Sequence, residues 1–301
     1  MDCAPSIIRG AIHTDITTIS KEVVLIKISD LFKVDGYGVV VTGGASGIGL
    51  GYAEALASNG ARVTLLDVHA GRIENETKRL GAAGLDVRGA VVDVTDHKAL
   101  DGAIDEAAKI YGGLDVVIAN AGIDPGVGFL GAWAGAERPR LSEGALENYT
   151  DERWNRVIDV NLNGVFATVR AAARHMRPRK SGRIIVTTSL ADVRIEPAIG
   201  AAYMAAKAGA AMFTRNIALE LAAYNITVNA ISPGYIVTNI GDGHSLNPEE
   251  QRAVAKMTPM HRVGWPSDFY GVALFLASHA SDYITGQEII VDGGWGLGMA
   301  D

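Results

Sequence analysis

From residue 38 onward the chain alternates short runs of β-branched and apolar residues with stretches of helix length, and that rhythm admits few architectures. Strands are expected at Gly38–Thr42, Arg62–Asp67, Gly89–Asp93, Leu114–Ala119, Arg183–Thr188, Ile226–Ile231 and Glu288–Val291. Helices are expected near 47–59, 71–82, 96–111, 150–177 and 202–224. Strands that read as unbroken apolar runs are buried on both faces. The expected fold class is therefore α/β, a doubly wound parallel sheet of about seven strands with helices on both faces. A composition 48% hydrophobic over 301 residues is ample for one large core. The main domain is expected over 31–301, behind an N-terminal extension, 1–30, with its own β-rich run at Glu22–Ile28. An insert at about 124–148 is rich in Gly and Pro and carries Phe129, Trp133, Arg138 and Arg140. Segments of that kind are lids, subunit contacts or disordered loops. No internal repeat is visible.

Charge and cysteine usage narrow the function classes. A net charge of −7 argues against nucleic acid or an anionic membrane as partner. The single cysteine, Cys3, rules out an internal disulfide and a cysteine-ligated metal. With no His, Cys or Asp cluster at ligand spacing, no metal site is expected. A cytoplasmic protein fits this usage. No apolar stretch is long and unbroken enough to span a bilayer; Tyr37 to Ala53 lacks charge, but its glycines suit a loop. Residues 1–10 lack the basic start and apolar core of a signal peptide.

Thr42-Gly43-Gly44-Ala45-Ser46-Gly47-Ile48-Gly49 follows the first strand and opens a helix. Glycines there let the backbone approach a pyrophosphate, whose charge meets the helix N-terminus. The spacing is Gly-x-x-x-Gly-x-Gly rather than Gly-x-Gly-x-x-Gly. A plain glycine turn is the ordinary meaning of such residues, but its place after the first strand favours a dinucleotide. Asp67 ends the second strand, where a carboxylate accepts from both adenosine ribose hydroxyls and repels a 2′-phosphate. Ser46 stands where a basic residue would meet that phosphate, so NAD is expected over NADP. His69 and Arg72 lie close behind and soften the discrimination, and Asp67 could also merely cap the next turn.

Tyr203 and Lys207 are four residues apart, and Ser189 lies fourteen before Tyr203. On a helix the first two share a face. A phenol titrates near ~10, and a neighbouring positive charge lowers that value toward working pH, where acid–base catalysis is most effective. Alone, the pair is more often a snorkelling Lys beside a Tyr.

Together these residues resemble the short-chain dehydrogenase/reductase family, in its compact single-domain branch, from about Gly36 to Met299. The glycine loop, Asp93, Asn120-Ala121-Gly122, Asn161, Ser189, Tyr203 with Lys207, Pro233-Gly234 with Thr238, and Asp292-Gly293-Gly294 appear in the family's order. The resemblance implies a Rossmann-type fold and an oxidoreductase. Tyr203 would be the acid/base, Lys207 would lower its pKa and hold the nicotinamide ribose, and Ser189 would stabilise the reacting oxygen. Asn161 would hold a water linking Lys207 to solvent. Cofactor contacts would come from Gly43, Ser46, Gly47, Ile48, Gly49 and Asp67, from Asp93 and Val94 at adenine, and from Asn120 and Gly122. Pro233, Gly234, Ile236 and Thr238 would fix the carboxamide.

Departures from the family pattern are local. Ala119 replaces an Asn, and the Ser189–Tyr203 interval is one residue longer than usual, putting Leu190 in the common register. Leucine has no hydroxyl, so Ser189 is the candidate, with Thr188 behind it. Asp192, Arg194 and Glu196 occupy the stretch that often lines the substrate pocket, pointing to a polar substrate or to solvated loop charges. Residues 239–262 should form a mobile substrate loop holding His244, Met257, Met260 and His261, with His244 a loop residue before a substrate contact. Ala208, Ala211, Ile217 and Leu221 are expected on the outer face of the Tyr203 helix. With the apolar tail Trp295 to Met299, they suggest a homotetramer, with a dimer as the alternative.

The expected activity is NAD-dependent oxidation of a secondary alcohol or reduction of a ketone. A polyol or sugar-like hydroxyl is the alternative, and a non-catalytic NAD-binding sensor the competitor from another class. An enoyl reductase is disfavoured because that branch spaces its Tyr and Lys wider.

Overall fold

A computed structural model describes residues 27–124, 126–131, 139–240 and 245–298. Seven strands, β1 Gly38–Thr42, β2 Arg62–Asp67, β3 Val87–Val91, β4 Val116–Ala119, β5 Gly182–Thr187, β6 Ile226–Pro233 and β7 Glu288–Val291, form one sheet ordered β3-β2-β1-β4-β5-β6-β7. Every pairing is parallel. Helices α1 Gly47–Ala57, α2 Ala70–Ala82, α3 His97–Tyr111, α4 Asp151–Ile158, α5 Gly164–Arg179, α6 Ala201–Ala222, α7 Pro248–Met257 and α8 Tyr270–Ala277 cover it.

The pleat sorts each strand between two cores. Val40 points toward α3 and α5, with Leu100, Ile104, Val165 and Val169, while Val39 and Val41 point toward α1 and α8, with Tyr52, Leu56, Ala273 and Leu276. Caps set where helices begin. Asp96 accepts from Lys98 and Ala99 N–H at 3.1 and 3.0 Å, Thr150 accepts from Arg153 N–H, and Asn247 from Glu249 N–H.

Several elements differ from the sequence reading. β3 ends at Val91, so Asp93 lies beyond the strand. The stretch 150–177 is not one helix: α4 and α5 are joined by a π turn over Asp159–Asn163, whose wider turn a 3.6-residue pattern does not reveal. Within 239–262 lies α7, and α8 was missed because its sequence, YGVALFLA, is apolar all round. On α6, Ala211 and Leu221 face the core, contrary to expectation, while Ala208, Met212 and Leu219 face outward. The insert is tied down on its described part: Gly128 and Leu130 N–H donate to Ala198 and Pro197 carbonyls ahead of α6. Arg140 lies over the Phe129 ring at 6.0 Å. Of the N-terminal extension only 27–30 is described, and Ile28 begins a 3-10 turn. Cys3, Trp133, Arg138, His244 and Met299 lie outside the described residues.

Strand β1 has β2 on one side and β4 on the other, so the chain reverses its winding there. Ligands of such sheets bind beyond the strand C-termini at this switch point.

Candidate active site

The glycine loop is fixed from beneath by Thr42 and Asn120. The Thr42 hydroxyl accepts from the Asn120 and Ala121 N–H groups at 3.0 and 3.2 Å. Asn120 Nδ2 donates to the Thr42 and Gly43 carbonyls at 3.0 and 3.2 Å. Gly49 has no room for a side chain: a Cβ would lie 2.2 Å from Gly43 O and 2.4 Å from Asn120 Nδ2. Gly43 and Gly47 take φ of +63° and +55°, a region that suits glycine. Ser46 is extended and provides no side-chain cap, leaving the first N–H groups of α1 to an incoming anion. Ile48 packs against the α1-side core.

Asp67, buried at the end of β2, accepts from Ala45 N–H at 3.2 Å and from His69 N–H at 3.1 Å. Its carboxylate thus belongs to the loop as well as to the next turn. Asp93 is exposed and accepts from the N–H and hydroxyl of Thr95, while the Val94 side chain turns inward against Gly164. Pro233 ends β6 opposite Val291, and Gly234 N–H donates to Val291 O. Ile236 is buried and bridges Gly264. Thr238 touches the glycine loop: a Cβ on Gly47 would meet its methyl at 3.3 Å. Its backbone is clipped by buried Ser245, whose hydroxyl accepts from Thr238 N–H at 3.0 Å and donates to Thr238 O at 2.8 Å.

Tyr203 lies in the first turn of α6, and Lys207 in the second. Lys207 is buried; its Nζ donates to Thr187 O at 2.8 Å and sits 5.5 Å from the Tyr203 ring centroid. Burial pushes the Tyr203 phenol up to about 12, a hydrogen bond from Ser189 pulls it down, and Asp124 and Asp192 push it further up. Burial also lowers the Lys207 ammonium to about 8, opposed by Asp192. Among the protein groups, burial outweighs the Ser189 hydrogen bond and holds the phenol above its ordinary value.

The Ser189 hydroxyl caps the following turn, accepting from Ala191 N–H at 3.2 Å. Thr188 points elsewhere: its buried hydroxyl donates to Ile231 O and Glu288 Oε1. Asn161, fully buried in the π turn, donates from Nδ2 to Val157 O at 3.1 Å and Ile123 O at 3.3 Å, and accepts from Ile123 N–H. A Cβ on Gly122 would lie 2.8 Å from Asn161 Oδ1 and 3.8 Å from Lys207 Nζ, so these three residues converge.

Thr42, Thr187, Ser245 and Glu288 were not singled out from sequence. Thr42, Thr187 and Glu288 act on residues distant in the chain and Ser245 on the Thr238 backbone, and only the threonine ending a strand beside the glycine loop carried any signal. Leu190, Val237, Val254, Val263 and Trp295 form a small apolar cluster, with Tyr235 stacked on Trp295 at 6.2 Å.

This geometry sits inside a known family. A family model described as enoyl-(acyl carrier protein) reductase matches residues 43–296. The chain belongs to the short-chain dehydrogenase/reductase family. It is similar to 5-keto-D-gluconate 5-reductase of Escherichia coli K12, 34% identical over 88% of this chain and 98% of that one. Galactitol 2-dehydrogenase (L-tagatose-forming) of Cereibacter sphaeroides is 36% identical over 88% of this chain and 97% of its own length. The crystal structure of a gluconate 5-dehydrogenase from Burkholderia cenocepacia, in complex with NADP and tartrate, superposes with a TM-score of 0.78 at 32% identity, covering 91% and 100% of the two chains. The protein is an oxidoreductase of this family that acts on an alcohol or ketone with a nicotinamide cofactor. No helix among the described residues is long and apolar enough to cross a membrane.

Proposed function

We propose that the protein interconverts a secondary hydroxyl and a ketone on a polyol or sugar acid, with NAD as the preferred cofactor. The observation that carries the reaction is the convergence of Ser189, Tyr203 and Lys207 beside a loop that glycine alone permits. The substrate class is supported by the relatives, whose names cite ketogluconate and galactitol.

The residues fit a dinucleotide: the Gly49 cradle has no room for a Cβ, and the α1 N-terminus has no side-chain cap. Gly43, Ser46, Gly47, Ile48 and Gly49 would hold the pyrophosphate, Asp67 the adenosine ribose, and Asp93 with the Val94 backbone the adenine. Asn120 and Gly122 would line the floor, with Pro233, Gly234, Ile236 and Thr238 at the carboxamide. When bound, the nicotinamide supplies the two-electron hydride chemistry. Tyr203 takes or returns the hydroxyl proton, and Ser189 donates to the same substrate oxygen as its charge develops. Lys207, held by Thr187 O, offers the nearby positive charge, and Asn161 fixes the Ile123 backbone. The insert at 124–148 and the segment 239–262 with α7 would cover the substrate.

NAD is favoured because Asp67 is buried at the ribose end and already joined to the loop backbone, so a 2′-phosphate would meet a fixed negative charge. An enoyl substrate is disfavoured by the four-residue Tyr203–Lys207 spacing. A homotetramer is supported by the outward Met212 and Leu219 on α6 and by half-exposed Phe166 on α5.

Screening gluconate, galactitol, sorbitol and simple secondary alcohols with NAD and with NADP tests the reading. Turnover of a polyol or sugar acid with NAD is expected. Reduced-cofactor formation only with simple alcohols would overturn the substrate class, and a preference for NADP the cofactor.

A further inference from the structure

Strand β4 lies between β1 and β5, so Asn120, just past its end, faces the end of β1 on one side and the end of β5 on the other. Toward β1, Asn120 Nδ2 donates to the Thr42 and Gly43 carbonyls at 3.0 and 3.2 Å. Toward β5, Asn120 Oδ1 accepts from the Thr187 hydroxyl at 3.1 Å, and the Tyr52 hydroxyl of α1 lies 3.4 Å from the same Thr187 oxygen. Thr187 and Tyr52 are buried, so these bonds form where the loss of a partner is costly. An amide that turned end for end would set its oxygen against two carbonyl oxygens, so only the present orientation satisfies both ends of Asn120. The fit toward the loop is close: a Cβ on Gly49 would lie 2.4 Å from Asn120 Nδ2, and one on Gly43 3.1 Å. A small shift of this amide therefore reaches both the loop and the first turn of α1.

We propose that Thr187 is a positioning residue for the cofactor: its hydroxyl holds the Asn120 amide against the Thr42 and Gly43 carbonyls, and so keeps the glycine loop in the form that receives a pyrophosphate. The carbonyl of the same residue accepts from Lys207 Nζ at 2.8 Å. One residue thus registers the phosphate loop against the lysine of α6, with its side chain on the first and its backbone on the second. Thr188, next in the chain, is committed instead to Ile231 O and Glu288. The Thr187 role rests on the glycine loop being the cofactor's, whichever nicotinamide dinucleotide binds, and is independent of the substrate class.

Two measurements on the whole protein test this without turnover. Thr187→Val keeps the branched shape and the backbone carbonyl but loses the hydroxyl. Fluorescence titration should give dissociation constants for NADH and for NADPH that both rise by roughly tenfold, while Thr187→Ser, which keeps the hydroxyl, stays near wild type. In the cofactor-free protein, amide hydrogen exchange over residues 43–50 should be faster in Thr187→Val than in wild type or Thr187→Ser. A general loss of packing is separated by a double-mutant cycle: with Asn120→Ala, which has no brace left to hold, Thr187→Val should cost no further affinity. Equal cofactor affinity in wild type and Thr187→Val, or a full additional loss on the Asn120→Ala background, would overturn the proposal. If Thr187→Val does not fold, Thr187→Cys, whose thiol is a weak donor, takes its place, and wild-type affinity in that variant counts against it. A wild type that binds neither NADH nor NADPH would instead sink the reading of the glycine loop, and this role with it.

Discussion

The Lys207 ammonium stands 5.5 Å from the centre of the Tyr203 ring while hydrogen-bonding the Thr187 carbonyl at 2.8 Å. The two side chains thus share a helix face, yet the cation is anchored to the end of β5 and not to the phenol. That bond joins the end of strand β5 to helix α6.

Replacing Tyr203 by Phe removes the proton carrier and leaves the ring packing. Turnover should fall by about 10²–10⁴-fold, the usual contribution of one acid–base group, while reduced-cofactor binding measured by fluorescence titration stays near wild type. Lost binding would mean that the residue holds the cofactor rather than the proton.

Lys207→Met should stabilise the cofactor-free protein and abolish turnover. Burial holds the folded value at about 8, below the ordinary lysine value of 10.5, so the unfolded chain keeps its proton more tightly. The cost is therefore in full below pH 8 and fades as pH rises toward about 10.5. Thermal unfolding should show the variant more stable by about 1–3 kcal/mol at pH 7, with the gap closing in alkali. A destabilised variant at pH 7 contradicts this.

Two glycines on helices should respond oppositely to alanine. Gly49→Ala forces a Cβ to 2.2 Å from Gly43 O and should cost about 1–3 kcal/mol and weaken cofactor affinity. Gly102→Ala, on α3 with nothing within 4 Å, should gain ~0.5–1 kcal/mol. Chemical denaturation of both variants gives the comparison.

Asp67→Ser removes the fixed charge at the ribose end. The ratio of kcat/KM for NAD over NADP should drop by roughly 10–100-fold, about 1.4–2.8 kcal/mol. An unchanged ratio would show that discrimination lies with other residues.

The outward stripe of α6 offers a test of assembly. Leu219→Glu combined with Met212→Glu places charge on exposed apolar positions, and sedimentation should show a smaller species than wild type. Identical sedimentation would move the interface elsewhere.

Much of the fold was legible because parallel strands covered on both faces read as apolar runs: β1, β2 and β7 fall at their expected residues, and β4 to β6 within two. The glycine loop and the Tyr203–Lys207 pair were legible because their chemistry is local, set by spacing along one loop and one helix. α8 was hidden by its uniform apolarity, and the π turn at Asn161 because a widened turn leaves no periodic mark.

The sequence by itself determined the alternating parallel sheet and the glycine turn that opens α1, since each depends on near neighbours in the chain. Only the tertiary structure decided that Thr187 O holds Lys207, that Thr42 and Asn120 brace the glycine loop, and that the Thr188 hydroxyl meets Glu288 across 100 residues. Thr42 and Asn120 come together because the sheet order makes β1 and β4 neighbours. The strength of these contacts comes from burial, which a linear chain does not yet have.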